Sequence, residues 1–328
     1  MPTPLRYVVV GAGAVGGAIG GRLHQYGHDV VLVARGAHHD ALARDGLLMV
    51  DPDARTRVQV PVVGRVEDLD WDERTVALLT VKGQDSEAVL RDLAVVARPD
   101  TAVLCVQNGV DNERQALRRF ARVYGVIVQL PASHVVPGEV ILHSAPTTGL
   151  LDLGRYPHGR DELAERIAAD LRSATFTSVA DPDIMRAKRA KLLSNLDNAV
   201  VALCGPGAAG SELVAEARRE AAACFAAAGL AVGYGEDLRE RGRAVRTREV
   251  DGRPRDGTST WLSLRRGTGS VETDFLNGEV VLAGRLHGVP TPVNEVLQRA
   301  TNAAARRRSS PAPLSLADLE ALVRAGAG

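Results

Sequence analysis

A chain of 328 residues exceeds what one hydrophobic core usually serves, so two domains are expected. Its 40 basic and 40 acidic side chains cancel, leaving no global field to draw it to nucleic acid or to an anionic membrane. No segment approaches a membrane span, and Cys105, Cys204 and Cys224 have neither paired nor metal-ligand spacing; each sits in an apolar stretch, as a buried thiol in a reducing cytoplasm would.

The first element reads Tyr7-Val-Val-Val10 and runs directly into Gly11-Ala12-Gly13-Ala14-Val15-Gly16, a G-x-G-x-x-G pattern. Glycine at 11 allows a tight turn, at 13 it lets a pyrophosphate approach the backbone, and at 16 it lets the next helix pack close to the strand. Val15, Ile19, Leu23 and Tyr26 fall at helical spacing, and Gly27 supplies a stop. The glycines also distinguish this apolar start from a signal peptide. A second apolar run, 30–33, lies where the second strand of a dinucleotide-binding unit should end. An NAD-preferring site places Asp or Glu there, but the chain reads Ala34-Arg35-Gly36. A guanidinium bonds a ribose 2′-phosphate that a carboxylate would repel, so Arg35 points to NADP(H).

Runs 76–81 and 102–106 predict further strands, and 123–130, 139–143 and 150–153 later ones; their alternation with helical stretches predicts a doubly wound, mostly parallel sheet. Lys82 and Asn108-Gly109 follow strand ends, the edge where open α/β sheets bind ligands, although a solvated lysine and a turn-forming Asn-Gly explain them as well. At Asp181-Pro182-Asp183 the texture turns helical, which divides the chain into 1–181 and 182–328. Helices are expected over 183–203, 212–228 and 270–287, with a solvated, arginine-rich loop region over 236–266. Residues 306–313 make a linker before a last helix from Leu316.

On the 183–203 helix, Lys188, Lys191, Asn195 and Asn198 form a polar stripe beside Met185, Leu192, Leu196 and Leu203. The scarcity of charge after Leu192 suggests a central helix whose lysine faces a cleft and donates a proton to a carbonyl oxygen; a plain surface helix would show the same stripe. Glu272, with Asp274, Asn277 and Gly278, is a second candidate, although acids near a helix N-terminus are favoured anyway. The eight histidines form no metal constellation; His38-His39 is expected in a loop, with a surface or structural role. No G-x-S-x-G elbow suggests a hydrolase.

In this order, Gly11–Gly16 with Leu32-Val-Ala-Arg-Gly36, Val81-Lys-Gly83, Gln107-Asn-Gly-Val110, Pro137-Gly-Glu-Val-Ile-Leu-His143, Lys191-Leu-Leu-Ser-Asn195, Glu272-Thr-Asp-Phe-Leu-Asn-Gly278 and Gly288-Val-Pro-Thr-Pro292 resemble the ketopantoate reductase family. The resemblance implies an N-terminal Rossmann domain, an all-helical 6-phosphogluconate-dehydrogenase-like C-terminal domain, and catalysis in the cleft between them. It implies NADPH-dependent reduction of 2-dehydropantoate to pantoate, in pantothenate biosynthesis. Gly11, Ala12, Gly13, Ala14, Val15, Gly16, Arg35, Lys82, Asn108 and Glu272 would then hold the cofactor. Lys191 would donate the proton, Asn108 and Asn195 would bind substrate, and Thr260 would stand for a family serine that binds its carboxylate. A homodimer through the helical domain follows from the resemblance alone. Departures fall on substrate contacts: Ala199-Val200 replaces an Asn-Pro pair, an asparagine is lost near Gly210, and Gln84-Asp85 replaces an aromatic. They leave open another carbonyl or an imine as substrate, and a non-catalytic NADP(H) sensor as a rival.

Overall fold

The computed structural model describes residues 3–252 and 257–326. Contacts divide them into two compact units. The first holds 3–107, 112–185 and 234–252; the second holds 108–111, 186–233 and 257–326.

In the first unit β1 (Arg6–Val10), α1 (Ala14–Gln25), β2 (Asp29–Val33) and α2 (Gly36–Asp45) are followed by β3 (Leu47–Val50), β4 (Arg55–Val58) and β5 (Val62–Val63). Next come β6 (Thr75–Leu79), α3 (Gly83–Val96), β7 (Ala102–Cys105), α4 (Asn112–Leu117) and β8 (Arg122–Val126). The unit continues with β9 (Ala132–Ser133), β10 (Glu139–Leu142), β11 (Gly149–Leu150), β12 (Leu153–Arg155), α5 (Glu162–Ser173) and β13 (Phe176–Thr177).

The main sheet runs β5-β2-β1-β6-β7-β8-β12, parallel except for the last strand. Val8 pairs with Val31 on one side and Ala77 on the other. All of β6 and β7 is buried, as strands covered on both faces must be. Strand order reverses between β1 and β6, the switch point where α/β sheets open a crevice at their carboxyl ends. The run at 139–143 forms a strand outside this sheet, whereas the run at 150–153 is divided, Leu150 ending β11 and Leu153 opening β12. β10 belongs to β4-β3-β10-β9, and β11 pairs with β13. β10 alternates half-buried and buried residues, the pattern of a strand covered on one face, and it lies on α1 with Val140 facing Gly17.

The chain enters the second unit within α6 (Ile184–Asn195) and continues through α7 (Asp197–Cys204) and α8 (Glu212–Ala227). After α9 (Glu236–Gly242) come α10 (Ser259–Arg266), α11 (Asn277–His287), α12 (Pro292–Arg306) and α13 (Leu316–Gly326). Leu192, Leu196, Val200, Leu203, Phe225, Val280 and Leu297 are among its core.

Three expected stretches of secondary structure are corrected here. The long helix over 183–203 breaks at Leu196, whose N–H turns back to Leu193 O at 3.4 Å in a tighter i−3 step. The helix over 270–287 opens as a 3-10 turn, Glu272–Phe275, and resets at Leu276, where φ is −120° and ψ −89°. Within 236–266, α9 and α10 form. Residues 234–252, expected in the helical half, pack on the first unit. There Arg241 makes a two-pronged bond to Asp152 at 2.8 and 2.7 Å, and the Arg248 N–H donates to His143 O at 2.7 Å. Cys105 and Cys224 are buried as expected, whereas Cys204 is half-buried, with Sγ 3.6 Å from Ser315 O. Among the described residues no helix is long and apolar enough to cross a membrane, and no group of His, Cys, Asp and Glu has the makings of a metal site.

Candidate active site

The glycine loop joins β1 to α1 beside the switch point between β1 and β6. Gly11 has φ +107°, a region open to glycine, and a Cβ there would lie 2.9 Å from Val81 N. At Gly16 a Cβ would come within 2.2 Å of Gly11 O and 2.5 Å of Thr80 Oγ1, so close packing of α1 on the strands requires glycine. A Cβ on Gly13, by contrast, would meet nothing within 4 Å: the space beside it is open.

Around that space the carbonyls are drawn back. Thr80 Oγ1 lies 2.7 Å from Gly11 O, the His38 Nε2–H donates to Ala12 O at 2.7 Å, and the N–H groups of Gly11 and Ala12 donate to Val33 O. Ala14, Val15 and Gly16 open α1, where N–H groups have no partner within the helix, and its first turn carries no acid. Such a helix end attracts an anion, and the open side of Gly13 admits one close to the backbone. These features fit the pyrophosphate of a dinucleotide. Arg35 stands exposed at the N-cap of α2, just past the end of β2.

Lys82 is half-buried at the N-cap of α3, beyond the carboxyl end of β6. Its turn is held by a buried network: Gln107 Nε2 donates to Val81 O at 2.6 Å and to Ser86 Oγ at 2.8 Å, and Ser86 donates to Asn112 Oδ1 at 2.8 Å.

In the second unit, Lys191, Asn195 and Asn108 form a hydrogen-bonded run. The Lys191 ammonium donates to Asn195 Oδ1 at 3.1 Å, and Asn195 Nδ2 donates to Asn108 Oδ1 at 2.9 Å. The i, i+4 spacing on α6 sets the first contact, and burial of Asn195 stiffens it. Gly109, at φ +82°, lets the Asn108 turn approach the 3-10 turn of Glu272: a Cβ there would lie 2.8 Å from Phe275 O. That turn leads into α11, whose first residue, Asn277, donates to Asn294 Oδ1 at 3.0 Å. Glu220 anchors Asn294 in turn, accepting the N–H groups of Val293 and Asn294 at 2.8 and 3.0 Å and thereby capping α12. Burial pushes the Glu220 carboxyl above the usual range against these hydrogen bonds. Thr260 is buried in the first turn of α10, which Thr258 caps by accepting the Trp261 N–H. Thr258 Oγ1 also donates to Asn198 O at 3.4 Å, tying α10 to α7.

Comparisons with known proteins identify the family. Residues 7–158 match the family described as ketopantoate reductase PanE/ApbA, and 183–305 match its C-terminal part. A 2-dehydropantoate 2-reductase of Archaeoglobus fulgidus is 30% identical over 299 residues, spanning 89% of this chain and 95% of that protein. The chain belongs to the ketopantoate reductase family. A 2-dehydropantoate 2-reductase of Mycobacterium tuberculosis is also 30% identical, over 88% of this chain and 94% of its own length. Among solved structures, a PanE/ApbA family ketopantoate reductase from Ralstonia eutropha superposes with a TM-score of 0.76 at 26% identity, covering 92% of this chain and 99% of that one. D-mandelate dehydrogenase with NADH and anilino(oxo)acetate shares the fold, with a TM-score of 0.78 at 21% identity over 92% and 99% of the two chains. Family members of this name are oxidoreductases acting on a CH-OH group, and this chain is an enzyme of that kind.

The structure brings Lys191, Asn195 and Asn108 together, with the Glu272 turn beside them, and gathers residues 11–16 at one helix end. Ala199 and Val200 are both buried in the helical core. Sequence reasoning missed Thr80, His38, the Gln107–Ser86–Asn112 network and Glu220. Thr80 alone carried a signal, as a hydroxyl ending an apolar strand; the others act on residues distant in sequence.

Proposed function

We propose that this enzyme reduces 2-dehydropantoate to pantoate with NADPH, in the cytoplasm, as a step of pantothenate biosynthesis. The observation that carries the reading is the run from Lys191 through Asn195 to Asn108, an ammonium held by Asn195, which Asn108 holds in turn. The names of the relatives support the substrate, and Arg35, standing where an NAD site would carry an acid, supports NADPH.

In this reading residues 11–16 hold the pyrophosphate, Arg35 the 2′-phosphate, and Lys82, Asn108 and Glu272 the nicotinamide end. When bound, a reduced nicotinamide supplies a hydride to the ketone carbon. Lys191 Nζ donates its proton to the ketone oxygen as negative charge develops there, and the resulting amine regains a proton from water. Asn195 holds the ammonium and, with Asn108, orients the substrate; Thr260 offers a hydroxyl to its carboxylate.

The test is NADPH oxidation followed by absorbance with 2-dehydropantoate, a panel of other 2-oxoacids and imines, and NADH in place of NADPH. The expected outcome is turnover of 2-dehydropantoate with a kcat/KM at least about tenfold higher for NADPH than for NADH. Faster turnover of another carbonyl or an imine would move the substrate assignment to that compound. No turnover of any compound would leave a nucleotide sensor.

A further inference from the structure

His38 makes two hydrogen bonds that together assign its tautomer. The Gly138 backbone N–H can only donate, and it meets Nδ1 at 3.0 Å, so Nδ1 is the acceptor. The proton then sits on Nε2, which donates to Ala12 O at 2.7 Å. The neutral ring thus bridges the β9–β10 turn to the middle residue of the glycine loop. His38 lies in the first turn of α2, not in a loop. The ring of His134 packs on it, with centroids 4.2 Å apart, and a Cβ on Gly138 would lie 3.1 Å from Ala41 Cβ. The bridge is therefore seated between two packed elements.

We propose that His38 is a positioning residue for cofactor binding, holding the Ala12 carbonyl back so that the N–H groups at the start of α1 face the pyrophosphate, with the neutral ring seated by the Gly138 N–H. This rests on the nucleotide site of the preceding reading. Released, Ala12 O is free to turn toward the phosphates, where its partial negative charge opposes them. A proton on Nδ1 would set N–H against the Gly138 N–H and break one side of the bridge.

The surroundings favour the neutral ring. Burial and the neighbouring His134 lower the His38 pKa from its ordinary value, against the hydrogen bond to Ala12. The other titratable or charged groups on the elements packed here are Arg35, His39, Asp40, Arg44 and Asp45 on or beside α2 and Glu139 on β10; β5 and the first half of α1 carry none.

The experiment is isothermal titration of the full chain with NADP+, which survives acid, for wild type, His38→Leu and His38→Gln, each checked for its melting temperature. Leucine removes both hydrogen bonds; glutamine restores a donor that does not titrate. The expected result near pH 7.5 is a Kd raised about tenfold or more in His38→Leu and largely restored in His38→Gln, the loss appearing in KM for NADPH more than in kcat. A folded His38→Leu protein with wild-type affinity would overturn the clamp and leave the nucleotide site standing. A folded His38→Gln protein that binds as weakly as His38→Leu would overturn the role of the ring nitrogen as donor. Failure of wild type to bind NADP+ would bring down the nucleotide reading, and the clamp with it.

Discussion

Gly13 and Gly16 look equivalent in the G-x-G-x-x-G pattern, yet they do different physical work. Gly16 is needed by the protein itself, because a methyl there would press on Gly11 O and Thr80 Oγ1 at 2.2 and 2.5 Å. Gly13 has open space and φ −69°, a value any residue adopts, so its missing side chain serves the ligand. Gly16→Ala should therefore lower stability by about 1–3 kcal/mol in denaturant melts. Gly13→Ala should leave stability within about 1 kcal/mol of wild type while weakening NADP+ binding about tenfold or more, as read by titration. Equal loss of stability in both variants would show that the loop is only a structural turn. The pattern announced all three glycines by type and spacing. It was silent on the donors that fix the loop, because His38 and Thr80 lie 26 and 69 residues from the carbonyls they meet.

At the scale of elements, local periodicity found most strands and helices of the first unit, since β1, β2, β6 and β7 are continuous apolar runs. It failed where long-range contact decides. Arginines and acids interleaved over 236–266 read as solvated, but Arg241 reaches Asp152, 89 residues earlier, whose side chain is only 1% exposed. Burial raises the Asp152 carboxyl above its ordinary pKa, and Arg241 counters that effect. Arg241→Ala would leave a buried charge without its chief partner, at a cost of about 3 kcal/mol near neutral pH in thermal or denaturant unfolding. The sign with pH follows from the raised folded-state pKa. Without Arg241 it rises further, so on acidification the folded variant takes up a proton before the unfolded chain does and regains stability. The deficit against wild type should accordingly shrink from neutral pH toward the ordinary carboxylate range. A pH-independent difference would mean that Arg241 acts through packing alone. The breaks at Leu196 and Leu276 escaped for a related reason: both sit among apolar residues whose spacing still reads as helical.

Across the whole molecule, the two units carry different parts of the proposed chemistry. The dinucleotide loop, Arg35 and Lys82 belong to the first, whereas Lys191, Asn195, Asn108, Thr260 and Glu272 belong to the second. The fold class and the family were legible because the glycine loop and the Lys191 and Glu272 motifs occur in a fixed order along the chain. The division of residues between units was not, since 108–111 leaves the first unit and 234–252 returns to it, neither with a change in composition. Because Lys191 is given no part in holding the cofactor, cofactor binding and proton donation are separable by mutation. The most direct test of the account is therefore Lys191→Ala, assayed for NADPH-dependent turnover of 2-dehydropantoate and for NADP+ affinity on the same preparation. The account predicts a kcat lowered about 100-fold or more, with Kd for NADP+ within about twofold of wild type. Turnover close to wild type would contradict the assignment of Lys191 as the proton donor.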